Sequence, residues 1–319
     1  MRIDKDLLSR FEHGLDPQNI EESVISAEII GYGEISSIFK IGGDDETACK
    51  RMPLFIDRSS AEKYEKQYHE YCGLLGKAGI TLPEHETVII DDVPDRPVTL
   101  YIVQEKLPEN RLGHRLINQL GPEDFEKMIE KIVSDIAKIW AFNRTALPAL
   151  ELAIDGQLSN WVWVDEKKGL TMYYIDTSTP LYRKEGNEQL DPELLLQSAP
   201  SFLRWLIRWL FLDDVMNRYY DQRLVYIDLA ANLFKEQRPD LIPATMDIIN
   251  RHINDSKGPL NRHINDSKGP LTFKEVEKYY KEDKLIWTLF LAFRRIDRWL
   301  TTKIFRKRYE FILPGKIKR

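Results

Sequence analysis

The sequence predicts an α+β protein of two lobes, and three features of its 319 residues support this prediction. Strand-like runs separated by turns fill the first hundred or so residues, around one helical segment. Long helical patterns dominate the chain after about residue 107, and a single hairpin pattern interrupts them. Because strands come first and helices second, we expect a small antiparallel sheet in an N-terminal lobe, residues 1–106, and a mostly helical C-terminal lobe, residues 107–319.

The N-terminal elements can be assigned in chain order. A short helix is expected over residues 6–22, broken near Gly14-Leu15-Asp16-Pro17. Two strands joined by a glycine-bearing turn are expected in VISAEIIGYGEISSIFKIGG, and ETACKRMPLF gives a third strand. Ser59 and Ser60 can cap a helix over about residues 60–77. HETVIID and VTLYIVQEKL, separated by the turn DVPDRP, complete the sheet.

The C-terminal elements begin after a linker at 105–108. Pro122 opens PEDFEKMIEKIVSDIAKIWAFN, whose apolar residues recur at helical spacing. WVWV and LTMYYID form the arms of the predicted hairpin, and residues 191–249 and 272–310 are expected to be mostly helical. The apolar run FLRWLIRWLFL at 202–212 is short and contains two arginines, so we interpret it as a core helix.

The composition is that of an ordinary globular protein: 43% of the residues are hydrophobic and 30% are charged, so the chain can bury a large core. No uninterrupted apolar stretch approaches the roughly 20 residues that a membrane-spanning helix needs. The N-terminus lacks the pattern of a secretory signal, and the two cysteines give neither a disulfide framework nor metal-ligand spacing. We therefore expect a cytoplasmic protein without a transmembrane segment.

Charge is distributed unevenly along the chain. The overall charge is −5, yet residues 293–319 carry ten Lys and Arg against two acidic residues. Trp299 and Phe305 stand among these basic residues. One hypothesis therefore makes residues 294–319 a contact for RNA or an anionic membrane. The alternative is a terminal helix whose aromatic residues pack on their own domain and whose arginines are solvated.

An eleven-residue sequence, NRHINDSKGPL, occurs at 250–260 and again at 261–271. Its Asn, Asp, Gly and Pro content is typical of a loop, and one unit has too little apolar surface to stack on the next. We interpret the repeat as a duplicated surface loop and assign it no chemistry.

Polar residues of the N-terminal lobe suggest a phosphate-binding site. GYGEIS places Gly31, Gly33 and Ser36 at a turn between two strands, where backbone N–H groups can approach phosphate oxygens. Lys50 follows in an apolar strand, and a buried lysine needs an anionic partner. The next helix offers two glutamates as partners, of which we prefer Glu70.

Oxygen-bearing side chains flank the predicted hairpin. Asp155 and Asn160 lie five positions apart in LAIDGQLSNWVWV, and Asp176 ends the strand YYID. Taken singly, Asp155 and Asn160 could belong to a surface turn, and Asp176 could be a capping residue for the TSTP that follows it. Taken together, a carboxylate and an amide oxygen at the end of a sheet can bind Mg²⁺.

The order of these features resembles the protein-kinase-like superfamily. They are the glycine turn, the lysine, the helix glutamate, the YIVQE strand, Asp-x4-Asn and the strand-ending aspartate. The branch they are most similar to is the aminoglycoside phosphotransferase and choline kinase group, over about residues 26–183. The resemblance implies a bilobal protein-kinase-like fold, ATP and Mg²⁺ as cofactors, and transfer of the γ-phosphate to a hydroxyl or amine of a small molecule. It does not identify this acceptor.

The resemblance implies contact with the nucleotide for a set of residues in the first lobe and the linker. They are Gly31, Gly33, Ser36, Lys50, Glu70, Gln104, Glu105, Lys106 and Leu107. The residues of the glycine turn would cover the phosphates, the lysine would hold the α- and β-phosphates, and the helix glutamate would fix the lysine. The last four residues would form the adenine-facing linker, mainly through backbone groups.

By the same resemblance, Asn160 and Asp176 would bind Mg²⁺, and Asp155 would orient the attacking hydroxyl and accept its proton. Two departures stand against this reading. Ala153 occupies the position where the family usually has histidine, and TSTP follows Asp176 in place of a glycine or an aromatic residue. They favour an alternative function, a nucleotide-binding pseudokinase with a regulatory or scaffold role. Because all the charged groups are present, we predict a working enzyme.

Overall fold

The computed structural model describes residues 4–33, 36–146, 148–166, 169–191, 194, 213–255 and 269–314. The predicted core helix at 202–212, the middle of the eleven-residue repeat and the last five residues of the basic tail lie outside the described residues. The described chain confirms the α+β prediction, with one antiparallel sheet ahead of a mostly helical part.

A five-stranded antiparallel sheet in the order β1-β2-β3-β5-β4 forms the first lobe. Its strands are β1 (Ala27–Tyr32), β2 (Ser37–Ile41), β3 (Thr47–Phe55), β4 (His85–Ile90) and β5 (Val98–Glu105). Alternation along β5 sends its side chains into two cores, one on each face. Leu100 and Ile102 join the large core that contains helix α2 (Arg58–Lys77), whereas Tyr101 and Val103 join a smaller core with helix α1 (Lys5–Gly14).

Local capping sets the ends of the first two helices. Asp4 accepts a hydrogen bond from the Leu7 N–H and starts α1, which ends at Gly14, the first residue of the predicted break. Asp57 caps α2: its carboxylate accepts from the Ser60 N–H, and the Ser60 hydroxyl faces the Asp57 backbone in return. The cap of α2 is therefore Asp57, with Ser60 as its reciprocal partner.

The second lobe consists of helices around a small sheet and a hairpin. Its helices are α3 (Gly113–Leu116), α4 (Pro122–Ala146), α5 (Asp213–Arg218), α6 (Gln222–Lys235), α7 (Ile242–Asp255) and α8 (Phe273–Trp299). Its strands are β6 (Leu150–Leu152), β7 (Trp161–Glu166), β8 (Gly169–Tyr174), β9 (Tyr182–Lys184) and β10 (Asn187–Glu188). The pairing of β7 with β8 confirms the predicted hairpin. None of the described helices is both long and apolar enough to cross a membrane.

The C-terminal segment departs from the helix predicted over 272–310. Helix α8 ends at Trp299, a π-helical turn covers Leu300–Ile304, and Arg306 adopts a φ of +52° that no regular helix continues. The chain then returns to the first lobe, where Ile312 joins the smaller core. The C-terminal segment therefore contacts the first lobe, although the sequence assigns it to the second. The boundary between the lobes at residues 106 and 107 stays a prediction.

Buried charges fasten this segment to the sheet. The Arg51 guanidinium donates to both carboxylate oxygens of Glu12, each at 2.7 Å, and to the Glu310 carboxylate at 3.1 Å. Arg96 and the Tyr101 hydroxyl also donate to Glu12. Because an unpaired buried charge is strongly destabilising, these groups hold one another in place. The network joins α1, β3, β5 and the C-terminal segment.

Candidate active site

Lys50 lies in β3, opposite Ile38 of β2 and Ile102 of β5, and its side chain is 8% exposed. Its ammonium group donates to Asp176 Oδ1 and to Ser178 Oγ, both at 2.9 Å. Ser178 also donates to the same carboxylate oxygen, at 3.0 Å. The expectation that Lys50 needs an anionic partner is confirmed, and the partner is Asp176, 126 positions along the chain.

The prediction that Glu70 fixes Lys50 is wrong. The Glu70 carboxylate accepts from Lys184 Nζ at 2.7 Å and from the Tyr182 hydroxyl at 2.9 Å, which ties α2 to β9. Helical geometry gives the reason: residues are about 100° apart around the axis, so position 70 points away from the face that carries Tyr68.

Tyrosines form the face of α2 that meets the site. Tyr64 donates to the Ser178 carbonyl at 2.6 Å, and the Tyr68 hydroxyl accepts from Thr177 Oγ1 at 3.3 Å. Tyr64, Tyr68 and Tyr71 are all buried. Sequence reasoning missed them, although their spacing of four and three positions marks one helix face and was visible.

Asp155 and Asn160 lie in the loop between β6 and β7. Asp155 Oδ1 accepts from the Gln157 N–H at 3.0 Å, and the Asn160 amide donates to the Asp155 backbone carbonyl at 3.4 Å. The Asn160 backbone carbonyl accepts from the N–H of Ile175 at 2.9 Å. Because Ile175 precedes Asp176, this bond places the loop beside the carboxylate that holds the lysine.

Ala153, at the position where a histidine was expected, is buried and held from two sides. Its N–H donates to the Leu181 carbonyl at 2.9 Å, and its carbonyl accepts from the Tyr71 hydroxyl at 3.0 Å. The loop that carries Asp155 is therefore supported by a tyrosine of α2 in the absence of the histidine.

The two carboxyl groups of the site have opposite electrostatic environments. Burial raises the pKa of Asp155 to about 7, and the negative charge of Asp176 adds to this, against the Gln157 N–H and the Lys235 charge. Burial also acts to raise the pKa of Asp176, but the charge of Lys50 and hydrogen bonds from Lys50 and Ser178 outweigh it and lower that pKa. Asp176 is thus a carboxylate near neutral pH, while Asp155 can take up or release a proton there.

Helix α6 borders the same loop and was not predicted to take part. A Cβ added to Gly156 would lie 2.7 Å from Val225 Cγ1, so the loop packs directly on the helix. Asp228, Asn232 and Lys235 follow Val225 at intervals of three, four and three positions, which share one helix face. Three polar residues at helical spacing within YIDLAANLFK were the signal that could have found this face.

Asp228 adds a second carboxyl group beside the loop. It is buried, and burial together with the charges of Asp155 and Asp283 raises its pKa well above the ordinary value. Lys235 reaches the loop itself, since its Nζ donates to Gln157 Oε1 at 3.4 Å. The surroundings of Asp155 on this side are therefore polar and contain both signs of charge.

The glycine turn joins β1 to β2 near Lys50. The Gly33 N–H donates to the Ser36 carbonyl at 3.0 Å, and a Cβ at Gly33 would lie 2.4 Å from Ser36 Oγ, so a larger residue there would require the Ser36 hydroxyl to turn aside. Gly31 pairs with Ile38 in the ladder. Ser36 lines a cavity of about 10 Å³ with Arg51, which faces the opposite side of β3 from Lys50. This placement gives no support to a phosphate contact by Ser36.

Several polar groups of the linker already form hydrogen bonds within the protein. The Gln104 side chain is buried and donates to the Ile175 carbonyl at 3.2 Å and to Thr177 Oγ1 at 3.1 Å, below the linker. The N–H groups of Glu105 and Lys106 donate to backbone carbonyls of neighbouring segments, each at 2.8 Å. An adenine ring at this linker would thus meet carbonyl groups and Leu107.

The oxygen donors of the site fit a magnesium ion that arrives with a nucleotide. Within the described ranges, no group of three or more His, Cys, Asp and Glu side chains is arranged to hold a metal. Mg²⁺ commonly takes one or two protein carboxylates and completes its six positions with phosphates and water. Asp176 and the Asn160 amide oxygen are donors of this kind, and the hydrogen bond from the Ile175 N–H to the Asn160 backbone carbonyl joins the two segments that carry them.

At the level of fold, the order of elements, with a small antiparallel sheet and one inserted helix ahead of a mostly helical part, confirms the resemblance to the protein-kinase-like superfamily. Similar solved structures include WaaP in complex with acyl carrier protein, at 12% identity and TM-score 0.41, covering 90% of this chain and 100% of that one. The GDP complex of aminoglycoside 2'-phosphotransferase-IIIa matches at 11% identity and TM-score 0.33, over 75% and 96%. The kinase PK-1 of Cydia pomonella granulovirus matches at 18% identity and TM-score 0.30, over 50% and 55%.

These TM-scores lie below 0.5, so the likenesses carry no functional weight. Among curated protein sequences, none matches the chain significantly. A family model does match, over residues 27–298, which is most of the chain. The chain belongs to that family, which is described as a family of unknown function, DUF6206.

Proposed function

We propose that this protein is an ATP-dependent phosphotransferase that moves the γ-phosphate, with the help of Mg²⁺, to a hydroxyl or amine of a small molecule. The observation that carries the proposal is the Lys50–Asp176 ion pair beside the loop of Asp155 and Asn160. Phosphoryl transfer needs cations at the phosphates and an acceptor held in line with the breaking bond. These residues supply a cation, two carboxyl groups and an amide for these tasks.

Lys50 would hold the α- and β-phosphates. Asp176 and Ser178 accept from two of the three donors of its ammonium group. Phosphate oxygens would replace the carboxylate as its partners when the nucleotide binds. Asp176 and Asn160 would hold Mg²⁺, which when bound neutralises charge on the phosphates.

Asp155 would serve as the base. Its pKa of about 7 suits a group that takes up a proton near neutral pH. As the acceptor oxygen forms its bond to the γ-phosphorus, the acceptor proton passes to the Asp155 carboxylate. The bond from the γ-phosphorus to the bridging oxygen breaks, and ADP keeps that electron pair. The acceptor would lie where Asp228 and Lys235 of α6 border the loop.

The other nucleotide contacts are proposed with the corrections that the structure makes. Gly31 and Gly33 would let the β1–β2 turn lie close to the phosphates, while Ser36 and Glu70 are left out. Gln104 would support the adenine site from below through its bonds to residues 175 and 177. Leu107 and the neighbouring linker carbonyls would contact the adenine.

Phosphate transfer from labelled ATP to a panel of small hydroxyl and amine compounds tests this function. We expect labelled product with the native protein, and a loss of at least about a hundredfold in Asp155→Asn, since a general base contributes on the order of 10² or more. Asp165→Asn, a change at an exposed aspartate of β7, is the matched control and should keep full activity. Equal activity of the two variants would overturn the assignment of Asp155.

The alternative of a nucleotide-binding pseudokinase is favoured by Ala153. Thermal unfolding separates it from a protein without a nucleotide site, and the transfer assay separates it from an enzyme. Mg-ATP should raise the melting temperature of the native protein and of Asp155→Asn, but not that of Lys50→Ala. A melting shift without turnover of any acceptor supports the pseudokinase. Absence of a shift in the native protein contradicts both functions.

A further inference from the structure

One face of helix α8 is apolar and exposed to solvent. Leu285, Ile296 and Trp299 are 60%, 45% and 56% exposed, and their intervals of eleven and three positions place them on one side of the helix. The turn that follows carries Ile304 and Phe305, which are 54% and 64% exposed. Large apolar side chains are exposed singly on most proteins, but five of them between residues 285 and 305 are a concentration typical of an interaction surface.

The opposite side of α8 is the one that packs on the protein. Arg294 is 1% exposed and lies over the rings of Phe290 and Phe311, the latter from the returning C-terminal segment. Arg294 also lines the small cavity beside Ser36 of the first lobe. The side that carries Ile296 and Trp299 therefore points away from the body of the protein.

Basic residues border the apolar side chains. Exposed cations occur along and just after the end of α8: Arg295, Arg298, Lys303, Arg306 and Lys307. Within the part of the chain that the structure describes, none of the five forms an ion pair with a carboxylate. Their positive charges are thus available to an anionic external partner.

We propose that the basic apolar face, formed by these five cations with Leu285, Ile296, Trp299, Ile304 and Phe305, docks on the surface of an anionic phospholipid membrane. An apolar side that carries Trp and Phe beside Lys and Arg is the composition with which helices lie in the headgroup region. The apolar side chains would enter the acyl boundary, and the cations would pair with lipid phosphates. The inference does not depend on phosphotransferase activity.

Two other occupants fit the face less well. Single-stranded RNA would use the cations and stack bases on Trp299 and Phe305, but it would leave Leu285, Ile296 and Ile304 without a suitable partner. A second copy of the chain would bring like charges together along the basic border. Its apolar seam would also be shorter than the three to four heptads that mark a coiled coil.

Co-sedimentation of the full-length protein with vesicles tests the proposal. Vesicles of phosphatidylcholine with about 30% phosphatidylglycerol should bind the protein at about 0.1 M salt and release most of it at about 0.5 M, because screening shortens the reach of the charges. Vesicles of phosphatidylcholine alone should bind at least about tenfold more weakly. Each basic residue near an anionic surface contributes about fivefold in affinity.

Matched variants separate the two components of the face. Arg295→Gln with Arg298→Gln should weaken binding to anionic vesicles about 25-fold. Trp299→Ala with Phe305→Ala should weaken it on the order of tenfold or more through lost apolar burial. Ile56→Ala, at an 87% exposed residue of the first lobe, and Arg251→Gln, at an exposed cation of α7, are controls that should bind like the native protein.

Three results would overturn the proposal. The first is equal binding to anionic and neutral vesicles, or binding that survives both double variants. The second is binding to single-stranded RNA that is tighter than binding to vesicles and unaffected by Ile296→Ser with Ile304→Ser, which assigns the face to RNA. The third is a dimer in sedimentation equilibrium that Trp299→Ala dissociates, which assigns the face to a second copy.

Discussion

Replacing Glu12 by Gln tests the buried ion network that fastens the C-terminal segment to the sheet. Burial acts to raise the pKa of Glu12, but the charges of Arg51 and Arg96 and the hydrogen bonds from Arg51 and Tyr101 lower it from 4.5 to about 2. At about 1.4 kcal/mol for each pH unit, this difference corresponds to about 3 kcal/mol of folding free energy. Glu12→Gln should therefore lower the free energy of unfolding by about 3 kcal/mol at pH 7.

The same argument fixes how this effect depends on pH. The folded pKa of Glu12 lies below the unfolded one, so the carboxylate stabilises the fold fully above about pH 4.5. This contribution is lost as the pH falls from about 4.5 to about 2. Urea unfolding of the native protein and of Glu12→Gln, from about pH 3 to pH 7, should thus show two curves that converge towards the acid end.

Glu62→Gln is the matched control, because it breaks an exposed ion pair with Arg58 and should change the free energy of unfolding by less than about 0.5 kcal/mol. Adding Arg51→Met to Glu12→Gln should recover part of the loss, since Arg51 and Arg96 then share the Glu310 carboxylate and the change removes one of these two cations. A loss below about 1 kcal/mol at pH 7, or one that is independent of pH, would refute the reasoning. Because Lys50 faces the other side of β3, Mg-ATP should still stabilise Glu12→Gln.

The candidate site yields further expectations. Since burial raises the pKa of Asp155 to about 7, turnover should rise with pH through about 7, and a flat profile between about pH 6 and 8 would contradict its role as the base. Gly156→Ala should reduce turnover at least about tenfold, because its Cβ would push the loop off α6. Gly73→Ala has open space in α2 and should keep activity with a slightly raised melting temperature. Glu70→Gln should leave turnover within about twofold, as for other surface changes, and a hundredfold loss would restore its predicted role.

Much of the fold was predictable because its signals are local. The apolar run of β5 and the helical spacing of apolar residues in α4, which begins at Pro122, depend on neighbours within a few positions. The return of the C-terminal segment was not predictable, because it depends on Arg51 meeting Glu310 across 259 positions. A backbone turn at Arg306, where φ is positive for a residue other than glycine, ends the helical direction without a sequence signal.

The candidate site shows the same division. Lys50 and Asp176 stood out as charged residues in apolar strands, and the structure brings them together. The partner of Lys50 was misjudged because the choice between glutamates used position along α2 and not direction around it. The apolar pattern of that helix, with Tyr64 and Tyr68 on its buried face, already indicated that tyrosines meet the site and that Glu70 lies off that face.

The pairing of Lys50 with Asp176 has a consequence for nucleotide binding. The ammonium group and the carboxylate neutralise each other, so separating them leaves a nearly buried cation and a partly buried anion without a partner of opposite charge. Phosphate oxygens can replace Asp176 at the lysine, but the freed carboxylate then repels the phosphates unless a cation joins it. ATP with EDTA should therefore raise the melting temperature much less than ATP with Mg²⁺. Asp176→Asn, which has no charge to compensate, should shrink that difference, and an unchanged difference would place the metal requirement elsewhere.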